Sequence, residues 1–260
     1  MATYHLVTPS TRGIGLALSR HLLSTTPSST HIVATHRPTS SPDTVRKTIL
    51  EPLPNSNETD KRLHLLPLDF TDEATITNSI QTELPRLIKG RDGHLTRAYI
   101  LPGILHPEKT LKSLKAEEML ETFRINTIAP TLILRELMLS GLLPRQPSQP
   151  ECKLMIMAAR VGSVSDNKLG GWYSYRMSKT AVFQLVKTAQ IEAERAYGGR
   201  VSIMGYHPGT VRTGLSEKFW KGEGEGKFEA KEAVKKMVGV VEEGDRGGKV
   251  WDWKGAEVLP

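Results

Sequence analysis

The feature that most limits what this chain can fold into is the alternation, along its whole length, of short apolar runs with stretches of helical spacing. Tyr4–Val7, His31–Arg37, Leu63–Leu68, Thr96–Leu101, Glu151–Ala158, Val201–Tyr206 and Lys249–Trp251 read as strands. Between them, Leu16–Leu23, Thr44–Leu50, Thr71 to about Lys89, Ala116–Ser140, Tyr175 to about Tyr197 and Glu229–Val241 read as helices. A helix between two strands carries the chain back to the start of the next strand, so the strands pair in parallel and the helices cover both faces. The expected fold class is therefore α/β, a doubly wound and mostly parallel sheet, in a single domain over residues 1–260. The Ser-, Thr- and Pro-rich stretch Pro38–Asp60 reads as a crossover, and Gly222–Gly226 as an exposed link, not as domain boundaries.

The first strand ends at Thr8-Pro9 and is followed by Ser10-Thr11-Arg12-Gly13-Ile14-Gly15 and then a helix. A strand, a Gly-rich turn and a helix N-terminus together make a phosphate site, because free N–H groups and the positive end of the helix dipole meet where glycines admit a pyrophosphate closely. The second strand ends in Arg37. An acid at that place would suit the ribose hydroxyl of NAD, whereas Arg suits the 2′-phosphate of NADP. Arg12 could reach the same phosphate from the first turn, and the alternative for both is an exposed surface Arg.

Tyr175 and Lys179 stand four residues apart at the start of a long helical pattern, so phenol and ammonium share one face. A nearby ammonium favours phenolate, which predicts a Tyr able to trade its proton closer to neutral pH. Pro130 lies inside the Ala116–Ser140 pattern and cannot donate to the carbonyl of Asn126. That predicts a kink with an unpaired carbonyl and a polar side chain able to hold a water.

Composition excludes more than it assigns. The charge of +7 is spread along the chain, with no basic run interleaved with aromatics, so no nucleic-acid partner is expected. No run approaches the ~18 apolar residues of a membrane helix. Met1-Ala2-Thr3 leads straight into the first strand without the pattern of a signal peptide. The eight histidines show no ligand-like spacing, so no metal site is expected. The lone Cys152 suits a reducing cytosol, and a cytoplasmic location is expected.

Over essentially its whole length the chain resembles the short-chain dehydrogenase/reductase family, a Rossmann-type fold. The string Gly162–Asn167 with Gly170-Gly171-Trp172-Tyr173-Ser174-Tyr175-Arg176-Met177-Ser178-Lys179 is similar to its C-factor-like branch, as are His207–Val211, Thr213 and Trp251–Gly255. The resemblance implies hydride transfer between the nicotinamide of NADP(H) and a carbonyl or alcohol carbon of a small or medium metabolite. It implies that Tyr175 gives the proton to the carbonyl oxygen, that Lys179 binds the nicotinamide ribose, and that Asn126 holds a water linking Lys179 to solvent. It further implies a cofactor site made of Thr8, Ser10, Arg12, Gly13, Ile14 and Gly15 around the pyrophosphate, Arg37, Asp69 at the adenine, and Gly103. Pro208, Gly209, Val211 and Thr213 would cover the nicotinamide end. A homo-oligomer, dimer or tetramer, is implied as well.

Departures from the family pattern bear on the chemistry. Pro9 replaces the first glycine of the first turn, and Ile100-Leu101-Pro102-Gly103 keeps only the last residue of the motif expected there. The catalytic Ser, expected three residues before Gly162, is Ala159. Ser163 or Ser165 could substitute if the loop folds back; a turn-capping role is the favoured reading. Two further readings therefore stand beside the reductase: a cofactor-binding protein with a regulatory or signalling role, and an isomerase or cyclase using Tyr175 as an acid.

Overall fold

The computed structural model describes the chain apart from Met1, Asn55, Ser56, Lys218, Phe219 and residues 221–223. Its strands are β1 (Ala2–Thr8), β2 (Thr30–His36), β3 (Leu63–Pro67), β4 (Gly93–Ile100), β5 (Cys152–Met157), β6 (Val201–His207), β7 (Thr210–Val211), β8 (Lys227–Phe228), β9 (Val250–Asp252) and β10 (Glu257–Val258). One sheet has the order β10-β9-β6-β5-β4-β1-β2-β3 and is parallel except for the β9/β10 pair. The expected doubly wound α/β class is what forms. β5 is buried at every position, as a strand covered on both faces must be, which is why its sequence is apolar throughout except at Lys153, whose ammonium donates to the carbonyls of Val241, Glu242 and Gly244.

The helices are α1 (Gly13–Thr25), α2 (Pro42–Leu50), α3 (Asn57–Arg62), α4 (Glu73–Thr77), α5 (Leu84–Lys89), α6 (Ala116–Phe123), α7 (Ala129–Leu139), α8 (Tyr173–Tyr197) and α9 (Ala230–Glu242). Leu18, Leu22, Val45, Ile49, Val234 and Met237 of α1, α2 and α9 build the core on one face of the sheet. Ile76, Leu84, Ile133, Leu137, Val182 and Val186, from α4, α5, α7 and α8, build it on the other. At full burial each such side chain contributes about 1.5–3 kcal/mol. β1 and β4 lie side by side where the strand order reverses, the place at which sheets of this kind bind ligands.

Several elements differ from expectation. Instead of a simple kink, the helix pattern around Pro130 contains a π-helical turn, Arg124–Ile128, between α6 and α7. The ladder there lengthens, the N–H of Ala129 reaching the carbonyl of Arg124, and this accommodates the missing donor of Pro130. A second π turn, Asn78–Glu83, joins α4 to α5 inside the helix expected to run unbroken to Lys89. The polar α3 has no apolar period to announce it. It is tied down by the buried Arg62, which donates to Thr30 O at 2.7 Å, Leu23 O at 3.1 Å and Thr26 Oγ1 at 2.6 Å. β7, β8 and β10 are two residues each, too short to show alternation. Of the Gly222–Gly226 link, Gly222 and Glu223 lie outside the described residues.

Burial, assisted by Arg97 for His5, Arg91 for His64 and Arg160 for His207, lowers these three imidazoles to about 4. The folded chain thus binds fewer protons than the unfolded one between pH 4 and the ordinary value of 6.5. This stabilisation is complete above pH 6.5 and is lost as pH falls through about 4. Urea unfolding midpoints are expected to drop across that window, and His5→Gln to show a shallower drop.

Candidate active site

The first turn is built by hydrogen bonds that run inward. Ser10 Oγ donates to Thr35 O at 2.8 Å, Thr35 Oγ1 donates to Thr8 Oγ1 at 2.8 Å, and all three side chains are buried. Thr8 and Ser10 therefore position the turn against β2, and their hydroxyls face protein. A Cβ on Gly15 would fall 1.8 Å from the carbonyl oxygen of Pro9, so only glycine lets α1 start this close to β1. Gly13 has φ +53° and is exposed. The first turn of α1 has no side-chain cap and no acidic residue, so its N–H groups and dipole end are left for an anion.

Arg12 and Arg37 flank this turn. Both are exposed, and neither guanidinium makes a hydrogen bond or ion pair among the described residues. Asp69, just beyond β3, accepts from Thr71 N at 2.8 Å and Thr71 Oγ1 at 2.7 Å. These bonds hold its carboxyl below the ordinary value, with smaller help from Arg37 and Arg124. The turn after β6 comes back to the first turn: a Cβ on Gly13 would lie 3.4 Å from Thr213 Cγ2. Gly209, at φ +75°, packs so closely on Gly226, Phe228 and Trp253 that a Cβ would meet the Gly226 carbonyl at 2.5 Å. Val211 buries with Phe228, with Ile14 and Trp253 packed against them. The Gly13–Gly15 and Pro208–Thr213 turns are thus brought into contact.

Lys179, Asn126 and Gly103 come together, and Tyr175 stands one helical turn before Lys179 on α8. Lys179 is 1 % exposed and its Nζ donates to Met157 O at 2.7 Å. A Cβ on Gly103 would stand 4.0 Å from both Lys179 Nζ and Asn126 Oδ1. Asn126 is fully buried on the π turn; its Nδ2 donates to Ile104 O at 2.9 Å and Ser178 Oγ at 3.0 Å, and its Oδ1 accepts from Ile104 N at 2.8 Å. Both N–H groups of the amide are therefore used in binding the Gly103–Ile104 loop to α8, and Oδ1 keeps room for one further donor. Gly162 permits the close contact between the loop after β5 and α8, since a Cβ there would be 2.6 Å from the main-chain carbon of Lys179.

The expected acidification of Tyr175 is also corrected. Burial pushes its phenol up to about 12, and the same burial brings Lys179 down to about 7. The ammonium is turned to the Met157 carbonyl, so it does not stabilise a phenolate. Ala159 sits at the end of β5, 7 % exposed, with no hydroxyl to offer. Neither serine replaces it. Ser163 is buried and its Oγ accepts from Asp166 N at 3.1 Å, while Ser165 Oγ donates to the carbonyl of Pro260 at 2.5 Å. The turn-capping reading is correct for Ser163, whereas Ser165 ties its loop to Pro260 and caps no turn.

Ser178 and Ser174, four residues apart on α8, were not anticipated as site residues, although their spacing marks a second helix face beside Tyr175 and Lys179. The Met157 carbonyl could not have been foreseen, because main-chain acceptors carry no sequence signature. Among the described residues no group of His, Cys, Asp and Glu could hold a metal, and no helix is long and apolar enough to cross a membrane.

Residues 4–224 match the family model described as short chain dehydrogenase. C-signal of Myxococcus xanthus is 31% identical over 143 residues, covering 54% of this chain and 78% of that protein. An NADPH-bound carbonyl reductase from chicken fatty liver superposes with a TM-score of 0.82 at 24% identity, over 100% of this chain and 99% of that one. The carbonyl reductase Sniffer of D. melanogaster gives 0.78 at 20%, over 100% and 99%. At those identities the structures establish the shared fold, and the family match over most of the length, agreeing with the Tyr175/Lys179 pair and the glycine turn, shows that this chain belongs to the short-chain dehydrogenase family.

Proposed function

We propose that the chain is a single-domain, cytoplasmic oxidoreductase that uses NADP(H) on a carbonyl or alcohol of a small or medium metabolite. The observation that carries this reading is the meeting of Lys179, Asn126 and Gly103, one helical turn from Tyr175, together with an uncapped helix N-terminus and two guanidinium groups that have no partner among the described residues. The residues fit the cofactor: Gly13 leaves open main chain at the turn, and Gly15 lets the helix end come near. The N–H groups around Gly13, Ile14 and Gly15 would hold the pyrophosphate, and Arg12 and Arg37 the 2′-phosphate. Asp69 would lie at the adenine, with Gly103, Pro208, Gly209, Val211 and Thr213 around the nicotinamide end. The NADPH held by the chicken carbonyl reductase supports the choice of cofactor. When bound, the nicotinamide supplies or accepts the hydride.

The chain's own residues handle the proton. With its phenol at about 12, Tyr175 keeps its proton at neutral pH, the form required to protonate a carbonyl oxygen as it becomes an alkoxide, a far stronger base than phenolate. Lys179, at about 7, exchanges its proton near neutral pH. Asn126 holds the Gly103–Ile104 loop and α8 together, and so fixes Lys179 in place. Ala159 leaves the developing oxyanion with one donor fewer, a loss on the order of 10²–10³ in rate. Substrates that are already activated tolerate that loss best.

A second reading, cofactor binding without reduction in a signalling role, draws on Ala159 and on the Myxococcus relative, which bears the name of a signal. Fluorescence titration with NADPH and NADH, then absorbance after adding dicarbonyls, separates the two. Turnover sinks the second reading, and binding without turnover sinks the first. Arg37→Ala and Arg12→Ala are each expected to weaken NADPH about 10- to 100-fold and leave NADH unchanged, as for one charge-assisted hydrogen bond of ~1.5–3 kcal/mol. Equal losses for both cofactors would show that the arginines do not read the 2′-phosphate. Exposed Leu120, Ile128 and Leu139 on the α6–α7 stretch and Met177 and Ile191 on α8 support a homo-oligomer through these helices, checked by sedimentation.

A further inference from the structure

The loop that enters α8 carries three consecutive left-handed residues, Gly170 (φ +63°), Gly171 (φ +64°) and Trp172 (φ +51°). Glycine takes this conformation freely, but a bulky residue there is strained and persists only where its surroundings impose it. The imposing partner is Glu108, in the loop that follows β4. Its main-chain carbonyl accepts the Trp172 N–H at 2.6 Å, and its carboxylate accepts from the Ser174 hydroxyl two residues further on. Glu108 is only 3 % exposed and its Oε2 is buried without a partner among the described residues. A carboxylate is costly to bury half-paired, so this contact is kept against a penalty. A Cβ on Gly171 would lie 3.5 Å from the same Glu108 carbonyl, so the two loops touch along Gly171–Ser174.

The outcome of this arrangement is the placement of one ring. The half-buried Trp172 indole stands edge-on to the Tyr175 ring, with centroids 6.2 Å apart and planes at 73°. A right-handed residue 172 would extend α8 by one position and swing the indole off this spot. Building on the reductase reading, we infer that Trp172 is the specificity-determining residue of the site, a flat wall beside the proton donor that selects carbonyl compounds bearing an aromatic ring next to the carbonyl. Glu108 is its positioning residue. An aromatic substituent meets the indole in an offset or edge-on pair worth about 0.5–1.5 kcal/mol beyond its buried area, which a saturated ring of similar size does not recover.

The test compares acetophenone with cyclohexyl methyl ketone, which share size and a methyl ketone and differ in aromaticity. Saturation-transfer NMR reads binding to the chain with and without NADPH, and kcat/KM is read where turnover occurs. The wild type is expected to bind acetophenone in preference by about 2- to 10-fold. Trp172→Ala is expected to abolish the preference and Trp172→Phe to retain most of it, both with NADPH affinity unchanged. Glu108→Ala is expected to reduce the preference as Trp172→Ala does, and Glu108→Gln, which can still accept from Ser174, to restore it. Absence of a preference in the wild type overturns the inference, as does an equal loss for both ketones in Trp172→Ala at unchanged fold by circular dichroism. A failure of NADPH to bind would count against the reductase reading and leave the NMR comparison on the cofactor-free chain to decide the role of Trp172.

Discussion

Tyr175→Phe is expected to abolish NADPH consumption, by about 10²–10⁴-fold, while NADPH affinity stays within a few-fold of the wild type. The phenol is the group held in acid form, and burial, which raises it to about 12, is the sole cause of its shift. Removing one oxygen leaves the ring, its edge-on contact with Trp172 and the packing of α8 unchanged. Lys179→Met acts through a different link. Lys179 is buried and donates to Met157 O, so methionine removes that bond and the exchangeable proton but keeps most of the volume. It is expected to lower kcat by a similar factor and, on the proposed cofactor site, to weaken NADPH as well, since a Cβ on Gly103 would lie 4.0 Å from the ammonium. If Tyr175→Phe turned over at the wild-type rate, the proton would come from elsewhere and the proposed mechanism would be wrong.

The opposite change is expected of Ala159→Ser: a gain of about 100-fold in kcat on unactivated ketones, with KM for NADPH unaltered. Residue 159 has φ −155° and ψ 143°, extended backbone that serine adopts without strain, and it lies where β5 ends beside the Lys179 contact with Met157. The neighbouring hydroxyls are committed elsewhere, Ser163 to the Asp166 N–H and Ser165 to the Pro260 carbonyl, so a new hydroxyl has no rival for the oxyanion. Stopped-flow absorbance under single turnover reads the gain directly. If the wild type binds NADPH but stays silent while Ala159→Ser turns over, the pocket has been kept and reduction set aside, which favours the signalling reading. No change at all would show that residue 159 does not face the reacting oxygen.

The family and the fold were legible, and the site residues could be proposed, because each leaves a periodic or spaced trace. Strand–helix alternation forces a parallel sheet, and a parallel sheet collects its turns at one edge. Tyr175 and Lys179 at four residues' spacing must share a helix face, and Gly13 and Gly15 mark the place where main chain has to come close. Pro130 announced an irregular helix, though not that the ladder would lengthen into a π turn.

Protonation, and the partners of each polar group, were decided by tertiary structure. Helical spacing placed an ammonium near a phenol and so predicted an acidic Tyr175; burial and the Met157 carbonyl reversed that, because the interior penalises both charged forms and a main-chain acceptor claimed the ammonium. Asn126 was named from the chain, yet Ile104 and Ser178 take both N–H groups of its amide, and those partners lie 22 and 52 residues away. Glu108 and Trp172, 64 positions apart in a chain of 260 residues, form a pair that no local pattern encodes. Sequence alone determined which chemical groups could be proposed for the site, since backbone periodicity is a local property. Which of them hold protons, which are spent on each other and which face a substrate was settled only by the fold, since those depend on desolvation and on contacts between distant segments.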